Sequence, residues 1–129
     1  MNNKSTNIIV TGANGFTGRF VCKELLKRKI KFSVVLRPGK SYPWIQRLKI
    51  NTFYADVNNT SSLSEVFKGF NCLINIVSLG FGSAEKIVES CKNAGIQRGI
   101  FVSSTSIFTT LNPRSKKIRI MAETIIKES

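Results

Sequence analysis

Residues 7–18 read NIIVTGANGFTG, a short apolar run followed by three glycines with two residues between neighbours. The run from Asn7 to Thr11 is β-branched and ends at glycine, which is typical of a strand buried on both faces. Arg19 to Lys29 place apolar side chains at helical spacing, with lysines opposite. The segment is predicted to form a strand, a tight turn and a helix. The apolar face of that helix is predicted to consist of Phe20, Val21, Leu25 and Leu26.

The glycine turn fits the geometry that holds a pyrophosphate, because unpaired N–H groups and the helix dipole face an anion at a helix N-terminus. Gly12 permits the tight turn, Gly15 the approach of backbone to phosphate, and Gly18 the close packing of helix on strand. The GxxGxxG spacing is one residue longer than GxGxxG, and a lone glycine triplet also marks ordinary turns. Its place between strand and helix favours dinucleotide binding. The predicted cofactor-binding residues here are Gly12, Asn14, Gly15, Phe16, Thr17 and Gly18.

The alternation of strand and helix continues along the chain. Further strands are predicted at residues 31–36, 51–54, 72–77 and 100–103. Helices are predicted at residues 42–48, 84–94 and 118–127, and a capping box predicts the start of another at Ser62-Leu63-Ser64-Glu65. This pattern favours an α/β fold of one domain over residues 1–129, a doubly wound parallel sheet in strand order 3-2-1-4-5 between two helical layers, the Rossmann arrangement. Ligands of such sheets bind beyond the carboxyl ends of the strands, here between the first and the fourth.

Composition limits the function classes. With 129 residues, 42% of them apolar and 21% charged, the chain has the length of one ordinary soluble domain. The lack of histidine argues against zinc sites and histidine-based catalysis, so no metal is expected. The cysteines are odd in number and widely spaced, at Cys22, Cys72 and Cys91. This pattern predicts buried free thiols and a cytoplasmic protein. The polar N-terminus and its short apolar run predict neither a signal peptide nor a membrane span.

A net charge of +13 is the one compositional signal for a nucleic-acid partner. The lysines are scattered, and the densest clusters, at residues 23–31 and 114–119, are typical of solvated helix faces or loops. A basic surface without a nucleic-acid function is therefore favoured, and a basic nucleic-acid-binding module stays as the weaker alternative.

Arg37 bears on the choice of cofactor. In the common NAD-selective form an acidic residue ends the second strand and accepts hydrogen bonds from the adenosine ribose. This chain has Arg37 after that strand, and a guanidinium suits a 2′-phosphate through its charge and paired donors. NADP is therefore predicted, with NAD as the alternative and a solvated loop charge as the other interpretation of Arg37.

Five segments, in order, carry a family resemblance: TGANGFTG, Arg37, Ala55-Asp56-Val57, Asn75-Ile76-Val77-Ser78 and Phe101-Val102-Ser103-Ser104-Thr105. Over residues 7–128 the chain resembles the extended or atypical short-chain dehydrogenase/reductase superfamily, and within it the NAD-dependent epimerase/dehydratase and NmrA-like groups.

The resemblance implies roles for several residues. Asp56-Val57 would lie at the adenine, Val77-Ser78 beside the ribose next to the nicotinamide, and Ser103 near the nicotinamide itself. Thr105 falls close to the catalytic Ser/Thr of the family. Each of these residues also has a competing interpretation. Asp56 could cap its own loop, Val77 could belong to the core, and Ser103 could lie in a strand end whose side chains hydrogen-bond their own backbone.

The chain departs from the family at its acid/base pair, a tyrosine and a lysine four residues apart. Alignment of Ala122-Glu123 with the Ala-Glu that commonly follows the lysine puts Arg119 at the lysine position and Ser115 at the tyrosine position. Arg119 could hold a ribose or phosphate, whereas the serine hydroxyl is too weak an acid to replace tyrosine.

By the resemblance, relatives continue into a sixth strand and a substrate-binding part after the point where this sequence stops. A fragment, a truncated gene and a naturally minimal domain are the three interpretations. The expected function is therefore an NADP(H)-binding domain of an epimerase/dehydratase-like oxidoreductase, incomplete as a catalyst. A non-catalytic NmrA-like dinucleotide sensor is the alternative. The expected partners are the dinucleotide, an unknown small-molecule substrate and a second copy of the chain in a homodimer, with no membrane.

Overall fold

A computed structural model describes residues 5–104, 108 and 114–129. Its centre is a five-stranded sheet in the order β3-β2-β1-β4-β5. Every neighbouring pair of strands is parallel, so the predicted doubly wound sheet and its strand order are confirmed. The strands are β1 (Ile8–Thr11), β2 (Phe32–Leu36), β3 (Asn51–Tyr54), β4 (Cys72–Asn75) and β5 (Arg98–Phe101). The helices are α1 (Phe16–Lys27), α2 (Pro43–Arg47), α3 (Thr60–Phe67), α4 (Ala84–Ala94) and α5 (Arg114–Glu128), with a 3-10 turn at Leu79–Phe81.

The sheet separates two apolar layers. Every residue of β1 and β2 is buried, as expected of central parallel strands covered on both faces. Alternate residues of these strands pack against α1 and α2 on one face, where Cys22 and Ile45 enter the core. The other set packs against α3 and α4 through Leu63, Phe67 and Ile87. Parallel pairing of β1 with β4 places the carboxyl ends of these two strands side by side.

The first helix buries only part of the face that was predicted: Leu25 is buried and Val21 packs against the core. It begins at Phe16 instead of Arg19, and its buried residues are Gly18, Cys22 and Leu25. Phe20 is 60% exposed and Leu26 is 38% exposed, so their predicted burial is wrong. The buried positions follow the spacing i, i+4, i+7 from Gly18, because contact of Gly18 with the turn sets the rotation of the helix.

Other boundaries also differ from the predictions. The predicted capping box is wrong: α3 starts earlier, with the Asn59 side chain accepting a hydrogen bond from the Ser62 N–H at 3.0 Å. The strand predicted at residues 100–103 lies at Arg98–Phe101, because an exposed edge strand has little apolar signal at its start. The strand predicted to run to Val77 ends at Asn75, and the last helix begins at Arg114.

All three cysteines are free, with Cys22 and Cys72 buried and Cys91 partly buried. Burial raises the pKa of the Cys22 thiol to about 11 and that of Cys91 to about 12. Both thiols therefore stay protonated near neutral pH and are poor metal ligands. Within residues 5–104, 108 and 114–129 there is no cluster of three metal-ligating side chains, and no helix is long and apolar enough to cross a membrane.

Candidate cofactor-binding site

Two of the three turn glycines are required by the protein itself. Gly12 has φ +81°, and a Cβ there would lie 2.6 Å from the backbone N of Val77. A Cβ on Gly18 would contact the carbonyl oxygen of Gly12 and lie 2.6 Å from that of Ala13. Both positions are backbone-to-backbone contacts that no side chain fits, so the predicted roles of Gly12 and Gly18 have a direct structural reason.

Gly15 differs from the other two glycines. Its backbone, at φ −76° and ψ 175°, is extended and open to any residue. A Cβ on Gly15 would meet only the Gly12 carbonyl oxygen, at an ordinary 3.7 Å. Nothing in the described protein requires glycine here. The missing side chain therefore leaves space for a ligand, which fits the close approach of a phosphate.

The helix that follows is open to an anion at its N-terminus. Gly15 is the N-cap of α1, with no side-chain cap, and the first turn contains no acidic residue. The first N–H groups of α1 and the positive end of its dipole are therefore not neutralised by a side chain of this turn. Together with the space at Gly15, this arrangement suits a pyrophosphate.

A buried polar pair ties the turn after β4 to the end of β1. The Thr11 hydroxyl donates to Asn75 Oδ1 at 2.6 Å, and the Asn75 Nδ2 donates to the Val77 carbonyl at 3.1 Å. Thr11 and Asn75 are fully buried. The backbone N–H of Ile76 also donates to the Thr11 carbonyl at 2.8 Å. These bonds hold Val77 against Gly12 and so fix the floor of the site.

Two crevices open at the glycine turn and share Gly12 and Gly15. The larger has a volume of about 340 Å³ and the smaller about 220 Å³. The larger contains, among the predicted residues, Gly12, Asn14, Gly15, Arg37, Asp56, Val57 and Val77. The smaller contains Gly12, Gly15, Phe16, Thr17, Gly18, Ser78, Ser103 and Arg119. The structure thus brings every predicted site residue to this edge except Thr105, which lies outside the described residues.

The larger crevice also contains residues that the sequence did not single out. Lys40 lines it together with Arg37, and both side chains are exposed. Tyr42 is buried, and its hydroxyl donates to the Arg37 carbonyl at 3.2 Å, which anchors the loop after β2. Asp56 lines the same crevice while its Oδ1 accepts from the Asn58 N–H at 2.9 Å, so it also caps its loop.

A tryptophan supports the glycine turn from α2. The Trp44 indole N–H donates to Asn14 Oδ1 at 2.7 Å. The Arg19 guanidinium lies over the indole ring at 5.2 Å from its centroid, within the range of a cation–π contact. Because the Asn14 oxygen is occupied, its Nδ2 group is the part left to donate to a ligand. Sequence patterns gave no signal for this contact between residues 30 positions apart.

The smaller crevice is built around Arg119. Its Nη2 donates to the Ser78 hydroxyl at 3.1 Å, which in turn accepts from the Gly80 N–H at 3.3 Å. Arg119 and Ser78 are 41 positions apart in sequence, and α5 brings them together by packing on the 3-10 turn. Arg119 therefore occupies the crevice with Ser78 and Ser103, where it can reach a bound molecule.

A parallel sheet in this order, with a glycine turn that leads from its central strand β1 into α1 and two crevices at that turn, defines a Rossmann dinucleotide-binding domain. The sequence pattern of the NAD(P)H-binding family matches residues 12–128. The chain belongs to this family, and its cofactor class is NAD(P)(H).

Individual relatives agree with this assignment. The chain is 38% identical over 133 residues to a dTDP-6-deoxy-L-talose 4-dehydrogenase (NAD(+)) of Aggregatibacter actinomycetemcomitans, covering 84% of this chain and 49% of the relative. Over 118 residues it is 25% identical to the mouse sterol-4-alpha-carboxylate 3-dehydrogenase, decarboxylating, covering 81% of this chain and 31% of that enzyme. The chain thus spans half or less of the length of these relatives.

Solved structures share the fold. A nucleoside-diphosphate-sugar epimerase of Staphylococcus aureus superposes with a TM-score of 0.80 at 24% identity, over 95% of this chain and 47% of that one. An Escherichia coli NADPH-dependent quinone oxidoreductase complexed with NADPH also gives 0.80, at 20% identity, over 94% of this chain and 44% of that one. The predicted resemblance to epimerase-like short-chain dehydrogenases/reductases is confirmed.

Proposed function

We propose that the chain is the NADP(H)-binding part of an epimerase/dehydratase-like oxidoreductase that prefers NADP over NAD. The observation that carries the preference is the pair of cations in the larger crevice, where Arg37 and Lys40 lie at the end of β2. A 2′-phosphate adds negative charge that these two side chains can bind, whereas the diol of NAD lacks it.

In this proposal the cofactor lies across the glycine turn. The adenosine half occupies the larger crevice, beside Asp56 and Val57, and the pyrophosphate approaches Gly15 at the N-terminus of α1. The nicotinamide half occupies the smaller crevice with Ser78 and Ser103. Bound NADP(H) would supply or accept a hydride, and the chain would bind and orient the cofactor.

Arg37→Ala is expected to lower the affinity for NADPH about tenfold and to leave that for NADH nearly unchanged. One charge-assisted hydrogen bond contributes about 1.5 kcal/mol, which corresponds to that factor. Lys40→Ala should act in the same direction. Calorimetric titration of both cofactors measures the ratio, and Lys31→Ala, an exposed lysine before the other end of β2, is the matched control. Equal affinity of the parent chain for NADPH and NADH would contradict the proposed preference.

The catalytic roles of Thr105 and Arg119 are also proposals. Thr105 would hydrogen-bond a substrate oxygen, and Arg119 would hold the ribose or a phosphate. Ser115 at the tyrosine position supplies no usable acid, which supports the second candidate function, a non-catalytic dinucleotide sensor.

A cytoplasmic location and a homodimer are further parts of the proposed function. The free thiols support the cytoplasmic location. The exposed Ile120 and Met121 on α5 support the homodimer.

The 129-residue chain is expected to show no steady oxidation of NADPH with aldehydes, ketones or nucleotide sugars. Hydride transfer needs a proton donor within hydrogen-bond reach, and Ser115 is too weak an acid to serve. The readout is the loss of reduced-nicotinamide absorbance. Steady oxidation that Thr105→Val abolishes, and that the exposed control Thr124→Val leaves intact, would show a working enzyme and overturn the expectation.

A further inference from the structure

The smaller crevice has an unbalanced positive charge. Among the described residues that line it, Arg119 is the one ionisable side chain. Two ion pairs recorded among the described residues, Arg28 with Glu24 and Lys68 with Glu65, do not include Arg119. Its Nε atom is buried and has no hydrogen-bond partner within the described residues. Among the residues that the structure describes, the guanidinium is therefore a cation with no carboxylate beside it in a partly enclosed space.

This charge is held in a defined position. The Ser78 hydroxyl binds the guanidinium at Nη2, and the planar group lies against Gly80. A Cβ on Gly80 would stand only 2.9 Å from Nη2 and 3.0 Å from Cζ of Arg119. The backbone of Gly80 does not require a positive φ, so the close approach of Arg119 is the reason for a small residue here. A side chain at residue 80 would displace the charge.

We infer that Arg119 makes the site selective for the reduced form of the cofactor, NADPH, over the oxidised form, NADP⁺. This inference rests on the proposed placement of the nicotinamide in the smaller crevice. The oxidised ring carries one positive charge and the reduced ring carries none, while the phosphates are the same in both. The fixed guanidinium repels the oxidised ring only, and the dipole of α1 acts in the same direction.

The expected selectivity follows from the distance and the solvent. A unit charge several ångströms away, across a partly solvated crevice, changes affinity by roughly 3- to 10-fold. The phosphate contacts at the glycine turn contribute equally to both forms and cancel in the ratio. A chain with this selectivity retains NADPH and releases NADP⁺, which suits a reductase or a sensor of reduced cofactor better than an oxidising enzyme.

The test is a calorimetric titration of the full chain with NADPH and with NADP⁺. The parent is expected to bind NADPH roughly 3- to 10-fold more tightly. Arg119→Met should bring the ratio close to one, and Arg119→Lys should preserve most of it. Lys117→Met, which removes an exposed charge from the same helix, is the matched control and should leave the ratio unchanged.

Gly80→Ala provides a second test that leaves the charge of the chain unaltered. It should move the guanidinium and reduce the ratio, whether or not Arg119→Met folds. Equal affinities in the parent, or an unchanged ratio in a folded Arg119→Met or Gly80→Ala variant, would overturn the inference while leaving the proposed function intact. Failure of the parent to bind either form would overturn both.

Discussion

Gly15→Val is expected to weaken the binding of NADPH about 100-fold while the free energy of unfolding stays close to that of the parent. The valine side chain would fill the space at the N-terminus of α1, where the pyrophosphate approaches. Loss of two charge-assisted hydrogen bonds of about 1.5 kcal/mol each accounts for this factor. The stability should hold because a Cβ on Gly15 meets only the Gly12 carbonyl oxygen at 3.7 Å.

Calorimetric titration and urea denaturation measure the two quantities on the same sample. Gly15→Ala is the graded comparison, with a smaller loss of affinity and the same stability. A Gly15→Val variant that binds NADPH as tightly as the parent would show that the phosphate lies elsewhere. A variant that binds poorly because it unfolds would contradict the distinction drawn between Gly15 and the other two turn glycines.

Gly18→Ala should have the opposite result, a loss of about 3 kcal/mol in the free energy of unfolding, at the upper end for an overpacked site. The added carbon would meet the Gly12 carbonyl oxygen and stand 2.6 Å from that of Ala13, and backbone atoms in a tight turn have little room to move. The helix must shift away from β1, which disrupts the packing of Cys22 and Leu25.

Gly95→Ala is the matched control for this variant. Gly95 ends α4 with φ +77°, and a Cβ there would find nothing within 4 Å. The loss in the free energy of unfolding of Gly95→Ala should come from backbone strain alone, about 1 to 2 kcal/mol. Urea denaturation of both variants decides between the two causes. A smaller loss for Gly18→Ala than for Gly95→Ala would mean that helix and turn do not pack as closely as the structure shows.

Much of the fold was predictable because local signals agreed with the tertiary structure. The strand at Asn51–Tyr54 and the helix at Ala84–Ala94 were predicted with their observed bounds. Gly95 ends that helix in the left-handed conformation. The strand order followed from right-handed crossovers and the alternation of elements. The bounds of this strand and this helix depend on neighbours in sequence.

The errors occurred where a specific contact overrides the hydrophobic pattern or where two similar local signals compete. The rotation of α1 is set by Gly18 against Gly12, which overrides the apolar pattern that favoured burial of Phe20. The start of α3 depends on the Asn59 side chain, and a second polar cluster nearby matched the capping pattern as well. Sequence spacing alone cannot separate such alternatives.

The site was predictable to a similar degree. The glycine turn and Arg37 stood next to recognisable strands, and Arg119 came from the family resemblance alone. Lys40 and Tyr42 lie in a loop and line the larger crevice. A loop has no hydrophobic periodicity from which this position could be predicted. Their position depends on the hydrogen bond from the Tyr42 hydroxyl to the Arg37 carbonyl, which only the folded chain contains.

The contact between Trp44 and Asn14 gives the domain an optical reporter of its own state. Trp44 is the single tryptophan of the chain, so all indole fluorescence arises next to the glycine turn. Indole emission overlaps the absorption band of reduced nicotinamide, so excitation energy can pass from Trp44 to bound NADPH, whereas NADP⁺ lacks that band. Occupancy of the crevice by the reduced cofactor would therefore be visible as quenching of one native residue, with no label attached to the protein.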